Sequence, residues 1–380
     1  MKTGRHDHGI VGPRRTAESH LRIGLIAPPW VPVPPSVYGG TELVIDQLAC
    51  GLTRAGCEVV LFATGDATCP VERHWLYPEA LGTTTDLSAE RPHVERAYQV
   101  LAGVDLIHDH TLTGPMCADA LKPGSPVVTT VHGPFTPELR ALYATAAQRA
   151  SIVAISDAQR RSAPEVPVAA VIHHGIDVSS FPLGKGEGGY LLFLGRMHPD
   201  KGVHRAIAVA RATGRRLLVA AKMWEPAERR YFSECIEPLL GSDVVYVGEV
   251  GGQYKLDLLA GAEALVNPIR WPEPFGLVMI EALACGTPVL TFVEGAAPEI
   301  VEHGRTGFLC ADEEDMAARV GLVASLDRAT CRASVAARFS TERMVADHLA
   351  LYRRVLRARP IGSGAGRADS HYGTFAPAGP

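Results

Sequence analysis

Short apolar runs alternate along this chain with stretches in which hydrophobic residues recur every three or four positions, the pattern of strands and helices taken in turn. Leu21 to Ala27 reads as an apolar strand, and the proline-rich segment that follows to Val37 predicts a loop entering Gly39-Gly40. A helix is predicted from Thr41: Leu43, Val44, Ile45, Leu48, Ala49 and Leu52 form a broad apolar stripe, and Gly56 ends it before a strand from Glu58 to Ala63. The alternation continues through a strand at 105–108, a helix near 113–121, a strand from Pro126 to His132, a helix across 137–149 and a strand from Ser151 to Ser156. Val171 to Asp177, with the glycine-rich 184–189 segment, reads as a boundary. Tyr190 to Leu194 then opens a second alternating run, with strands expected at 216–221, 243–247, 263–266 and 288–292. Such alternation predicts an α/β fold of two doubly wound parallel sheets, whose ligands sit at the C-terminal ends of the strands, so the cleft between the halves is the expected active site. Met344, Val345, Leu349, Tyr352 and Leu356 follow helical spacing and read as core. Residues 1–19 and 359–380 are rich in small and charged residues without periodicity and are expected to be disordered.

Composition narrows the classes of function. A chain of 380 residues has room for two or three domains, and two are expected. Hydrophobic content of 47%, charged content of 21% and a formal charge of −4 fit an ordinary soluble enzyme and not a polybasic nucleic-acid binder, so no nucleic-acid partner is expected. The cysteines at 50, 57, 69, 117, 235, 285, 310 and 331 show no Cys-x-x-Cys pair and no zinc spacing, which predicts mostly buried, reduced core residues of a cytosolic protein. No apolar run approaches the roughly 20 residues needed to cross a bilayer, and the segment around His6, Asp7 and His8 lacks the apolar core of a signal peptide. A cytoplasmic location is expected.

The segment from Trp271 to Val289 holds two carboxylates, Glu273 and Glu281, eight positions apart around a predicted helix start. Pro274 disfavours helical backbone at Glu273, which puts that acid on a loop while Glu281 rides the helix, so the two bracket a ligand. Between them the N–H groups of Phe275, Gly276 and Leu277 lie where a first helical turn leaves donors unpaired and its dipole attracts an anion such as a phosphate. Gly39-Gly40 lets backbone approach a ligand at another helix start, although a lone Gly-Gly is also an ordinary turn; it lacks the Gly-x-Gly-x-x-Gly of a nicotinamide-binding turn. Arg196 and Lys201, five apart around Pro199, can both reach one diphosphate and offset its charge, whereas in isolation they would read as solvated surface cations. His132 ends a strand where Gly133-Pro134 turn the chain, which directs its ring toward the cleft. His108 and His110 share a strand face and would ligate zinc if a third ligand converged, but no nearby residue supplies one. Asp109 and His110 read instead as lining for the acceptor side of the cleft, or as the cap of a helix at Thr111. Lys222 offers a third positive charge; Tyr38 and Glu299 are secondary candidates, the latter equally a helix N-terminal acid.

Five segments in order, Tyr38 to Glu42, Val131 to Pro134, His174 to Asp177, Gly195 to Gly202 and Glu273 to Val289, resemble the retaining glycosyltransferases of family 4, and Pro298 to Val301 and Gly304 to Leu309 extend the resemblance over about 21–357. The resemblance implies a GT-B fold of two Rossmann-like domains facing across a cleft. An acceptor-side domain would span 20–183 and be completed by a returning helix at about 340–357, and a donor-nucleotide domain would span 184–339. It also implies a hexosyltransferase that moves a sugar from a nucleoside diphosphate to an acceptor hydroxyl with retention and without an essential metal or other cofactor. Arg196, Lys201, His132 and Glu273 would be catalytic. Gly39, Gly40, Phe275, Gly276, Leu277, Glu281 and Lys222 would bind the donor, Glu281 through the ribose hydroxyls and Glu273 through those of the sugar. Asp109 and His110 would face the acceptor, a sugar, a lipid-linked group or a small molecule, and a lipid acceptor would bring peripheral membrane contact. The base pocket is expected near Val247 to Val250. Asn267-Pro268 and His173-His174 depart from the family's usual residues, which weakens assignment of the donor by analogy; the residues at 247–250 do not select a base, and acceptor specificity is expected in first-domain loops that include Pro28 to Val37 and 64–100. Rival readings are a sugar-nucleotide epimerase, a phosphorylase (which lacks an evident pyridoxal lysine motif), a nicotinamide oxidoreductase and an inactive sugar-nucleotide-binding module.

Overall fold

The computed structural model describes residues 21–37, 39–82, 87–121 and 124–358, so the two chain ends and Tyr38 lie outside the described residues. In the first lobe, β1 (Arg22–Ile26), β2 (Glu58–Ala63), β3 (Glu72–Trp75), β4 (Leu106–Asp109), β5 (Val127–Val131), β6 (Ala150–Ala154) and β7 (Val168–Val171) form a parallel sheet in the order β3-β2-β1-β4-β5-β6-β7. In the second, β8 (Tyr190–Arg196), β9 (Arg216–Lys222), β10 (Val244–Gly248), β11 (Ala264–Asn267), β12 (Val289–Phe292) and β13 (Gly307–Cys310) follow the order β10-β9-β8-β11-β12-β13, again all parallel. The strands are apolar runs because both faces are covered: Val59 and Leu61 of β2 enter one core layer while Val60 and Phe62 enter the layer on the opposite side. In the second sheet Leu192 likewise points away from Leu191 and Phe193.

The helix Gly40–Arg54 covers one face of the first sheet together with the last helix, Thr341–Arg357. Met344, Val345, Leu349 and Tyr352 of that last helix share a core layer with Ile23 and Leu25, so the chain returns to its first lobe. Its return is fixed by Ile176 N–H donating to Phe339 O at 2.9 Å and Thr341 N–H donating to Ile176 O at 3.0 Å. Gly51 lets the two helices close on each other, since a Cβ there would lie 2.5 Å from Val345 Cγ2.

Segment 64–100, between the predicted strands at Glu58 to Ala63 and at 105–108, contains β3 and the helix Glu90–Val100. β3 reads Glu-Arg-His-Trp and is half exposed at the sheet edge, so it carries none of the apolar signal of a central strand. The cysteines divide: Cys69, Cys117, Cys285, Cys310 and Cys331 are buried, Cys50 and Cys57 half-buried and Cys235 exposed, all as free thiols. Among the described residues no helix is long and apolar enough to cross a membrane.

Candidate active site

Strand order reverses between β1 and β4 in the first lobe and between β8 and β11 in the second, and a crevice opens beyond the C-terminal strand ends at such points. The segments leaving β1, β8, β9 and β11 all reach a shared cavity of about 740 Å³ lined by both lobes. On the first-lobe side the helix Gly40–Arg54 starts without a side-chain cap, which leaves first-turn N–H donors for a ligand. Gly40 allows the lobes to touch, because a Cβ there would stand 3.1 Å from Leu277 Cδ1. Glu42, one residue into that turn from Thr41, also lines the cavity; it is buried, and burial pushes its carboxyl up to about 7.

The opposite wall is the loop and helix start at Glu273 to Leu277. Gly276 is the N-cap of the helix Leu277–Ala284 at φ 105°, left-handed backbone that glycine adopts at little cost. Glu273 is fixed from behind by Gly295, whose missing side chain lets the Glu273 backbone pass, and by Ala296 N–H donating to Glu273 O at 3.0 Å. The Glu273 carboxylate takes a short hydrogen bond from Lys201 Nζ and another from Trp271 Nε1 at 2.6 Å. Burial lowers the Lys201 ammonium from its usual range although Glu273 opposes that shift. Lys222, at the end of β9, is buried in the same wall with Nζ 4.1 Å from the centre of the Trp224 ring. Glu281 is buried eight residues on from Glu273 and accepts from Lys255 Nζ at 2.8 Å, with both residues on the cavity wall. His132 closes the floor. Its Nε2 lies 2.9 Å from His110 Nδ1, its ring is 5.2 Å from that of His174, and burial drives it down to about 3, so it is a neutral imidazole at physiological pH.

Residues 38–180 match the model for Glycosyltransferase Family 4, and residues 177–334 match that for Glycosyl transferases group 1. The chain belongs to the family 4 glycosyltransferases. It is 28% identical to the phosphatidyl-myo-inositol mannosyltransferase of Mycolicibacterium smegmatis, over 91% of this chain and 95% of the relative. The crystal structure of AviGT4, a glycosyltransferase involved in avilamycin A biosynthesis, is 29% identical with a TM-score of 0.69, covering 89% of this chain and 99% of that one. Anabaena HepE in complex with UDP and glucose superposes with a TM-score of 0.70 at 21% identity, over 87% of this chain and 100% of that one. The fold is accordingly GT-B: two Rossmann-like lobes facing across the cavity.

The cavity of this glycosyltransferase gathers Gly39, Gly40, His132, Lys201, Lys222, Glu273, Phe275, Gly276, Leu277 and Glu281, and leaves three of the expected site residues outside its walls. Arg196 ends β8 but directs its guanidinium to the buried Glu228, 3.8 Å away; its charge still bears on Lys201 and Lys222 from behind. Asp109 is the clearest correction. The alternation of β4 turns it to the face opposite His108, where it accepts from Tyr98 Oη at 2.9 Å, Thr111 N–H at 2.8 Å and Thr111 Oγ1 at 2.7 Å. It therefore holds the turn at Thr111, the capping alternative, and does not line the cavity, and burial lifts its carboxyl to about 6. His110 shares the His108 face and stands one layer behind His132, which it supports. The zinc alternative is also withdrawn, because both ring nitrogens of His108 are engaged at 2.7 Å, by Tyr352 Oη and Thr130 Oγ1.

Sequence reasoning missed Lys255, Glu42 and His174 as cavity residues. Glu42 stands two residues after Gly40 and was open to discovery from the helix start; Lys255 sits on the separate helix Gly252–Gly261, with nothing in its spacing to mark it as the partner of Glu281. Glu299 is neither a simple helix acid nor a cavity residue. It accepts from Asp157 N–H at 2.9 Å and Ala158 N–H at 2.6 Å in the first lobe, and pairs with His173 Nε2 at 2.8 Å in the linker. Burial alone would raise its carboxyl, but these donors outweigh burial and hold it below the usual range.

Proposed function

We propose that this glycosyltransferase moves a hexose from a nucleoside diphosphate to an acceptor hydroxyl, with retention at the anomeric carbon and without a metal ion. The observation that carries the reading is the meeting of Lys201, Lys222 and two uncapped helix starts with Glu273 and Glu281 in one cavity between the lobes. A diphosphate lying against the two lysines and the amide donors of Gly276 and Leu277 has its charge offset by fixed groups, the role a metal plays elsewhere. Glu281, anchored by Lys255, supplies a charge-assisted acceptor for ribose hydroxyls, and Glu273, anchored by Lys201 and Trp271, does the same for the sugar.

In the step itself the bond from the anomeric carbon to the diphosphate oxygen breaks, its electron pair passing to that oxygen. The acceptor oxygen attacks on the same face, and its proton passes to the departing diphosphate. Lys201 and Lys222 stabilise the charge that grows on the leaving group, with Arg196 adding to the field from behind the wall. His132, held neutral, orients hydroxyls without competing for the proton. The complex of HepE with UDP and glucose supports this reading through a shared fold. Incubating the protein with UDP-, GDP- and ADP-sugars in the presence of a chelator, and following sugar loss and product configuration by NMR, tests it. Turnover with a product of unchanged anomeric configuration is expected, and turnover that needs added metal or inverts the centre would overturn it.

A further inference from the structure

Away from the seam, the loop between β2 and β3 folds back on the helix Gly40–Arg54 and sets Cys69 beside two residues of that helix. Asp46 and Cys50 stand at i and i+4 and so share a face. An oxygen of Asp46 and the sulfurs of Cys50 and Cys69 lie within 4.8 Å of one another, and among the described residues no other group of three or more His, Cys, Asp or Glu side chains is placed to hold a metal ion. Cys69 is fully buried, whereas Asp46 and Cys50 are half-buried and give an entry path from solvent. The loop is pinned in place by the N–H groups of Thr68 and Cys69, which donate to Val33 O at 2.8 and 3.0 Å.

We propose that Asp46, Cys50 and Cys69 form a site for one thiophilic divalent cation of the zinc type, with a fourth position open to water. Two thiolates and a carboxylate around zinc need bonds of about 2.3 and 2.0–2.2 Å, which puts the ligand atoms about 3.5–3.8 Å apart; side-chain rotation closes the remaining gap of at most about 1.3 Å. Paired sulfur ligands select zinc-like ions over magnesium or calcium. The three anionic ligands meet a dication and, one helical turn beyond Cys50, the guanidinium of Arg54. A bound ion would tie the loop to the helix whose first turn carries Gly40 and Glu42 into the cavity. Through Val33 it would also tie down the segment that carries Val31 and Pro35 into the same wall. The site is thus a structural pin for the acceptor-side wall, separate from the transfer chemistry.

The test uses the full chain, reduced and stripped with a chelator, then titrated with cadmium while the thiolate-to-metal absorption band is followed, and with zinc in competition with a chromophoric chelator. One equivalent should bind, with a rise in melting temperature. Cys50→Ser and Cys69→Ser should abolish the band, Asp46→Asn should weaken zinc binding more than about tenfold, a loss that even removal of an outer partner causes, and Cys235→Ser should change nothing. Because Cys69→Ser can disturb a buried position, the half-buried Cys50→Ser, checked for an unchanged fold by circular dichroism, is the deciding variant. A band that survives in Cys50→Ser, a band that depends on Cys235, or reduced protein that takes up no metal and simply oxidises to a Cys50–Cys69 disulfide would each overturn the proposal.

Discussion

Lys201 is the residue on which the chemistry of the cavity turns, since it both touches Glu273 and lines the space a diphosphate would fill. Lys201→Ala should lower turnover by more than about 100-fold, as removal of one charge-stabilising donor commonly does, and an assay of sugar transfer checks it. Glu42 gives a second handle. Its carboxyl, raised to about 7, is largely protonated below that pH, and ionisation puts a negative charge into the cavity. Nucleoside diphosphate affinity should therefore fall as pH rises through about 7, and Glu42→Gln should hold it level, which calorimetry on either side of that pH measures. The same shift acts on folding: the unfolded chain releases this proton near the usual 4.5 and the native state near 7, so this group's contribution to stability falls as pH rises across that window. At this scale the pair Glu273 and Glu281 was legible because Pro274 fixes a loop-to-helix switch between them. Asp109 and His110 were not, because alternation tells which residues share a strand face but not which face meets the cavity.

The packing of elements depends on glycines and apolar stripes more than on any polar contact. Gly51→Ala would gain up to about 1 kcal/mol of helix propensity. The new methyl would sit 2.5 Å from Val345 Cγ2, and β-branched Val345 has little rotamer freedom with which to retreat. Overpacking of this kind costs about 1–3 kcal/mol, so a net loss is expected and a lowered melting temperature checks it. Central strands such as β2 and β8 were readable because both their faces are buried and their sequences are continuous apolar runs. The edge strands β3 and β7 were not, since a half-exposed edge admits charged and small residues and looks like loop. The helix Glu90–Val100 hid for a related reason: its buried face includes His93 and Glu90, so the apolar stripe is broken by polar residues that find partners in Ala27 O and Thr113 N–H.

Across the whole molecule the two alternating runs and the linker between them announced two parallel lobes, but contacts between lobes depend on three-dimensional approach that a linear pattern does not encode. Glu299 is the example, a second-lobe carboxylate receiving two first-lobe amides and a linker histidine. Glu299→Ala should cost about 1–3 kcal/mol by stranding those donors, and should widen the distribution of lobe separations seen by small-angle scattering. Hinge motion at this seam would then set how tightly the donor is enclosed. The most direct measurement is a crystal structure with whichever of UDP, GDP or ADP most raises the melting temperature. The diphosphate is expected within hydrogen-bond reach of Lys201 or Lys222 and the amides of Gly276 and Leu277, with the ribose on Glu281; a nucleotide bound outside the seam, or a ribose far from Glu281, would contradict the proposed transfer site.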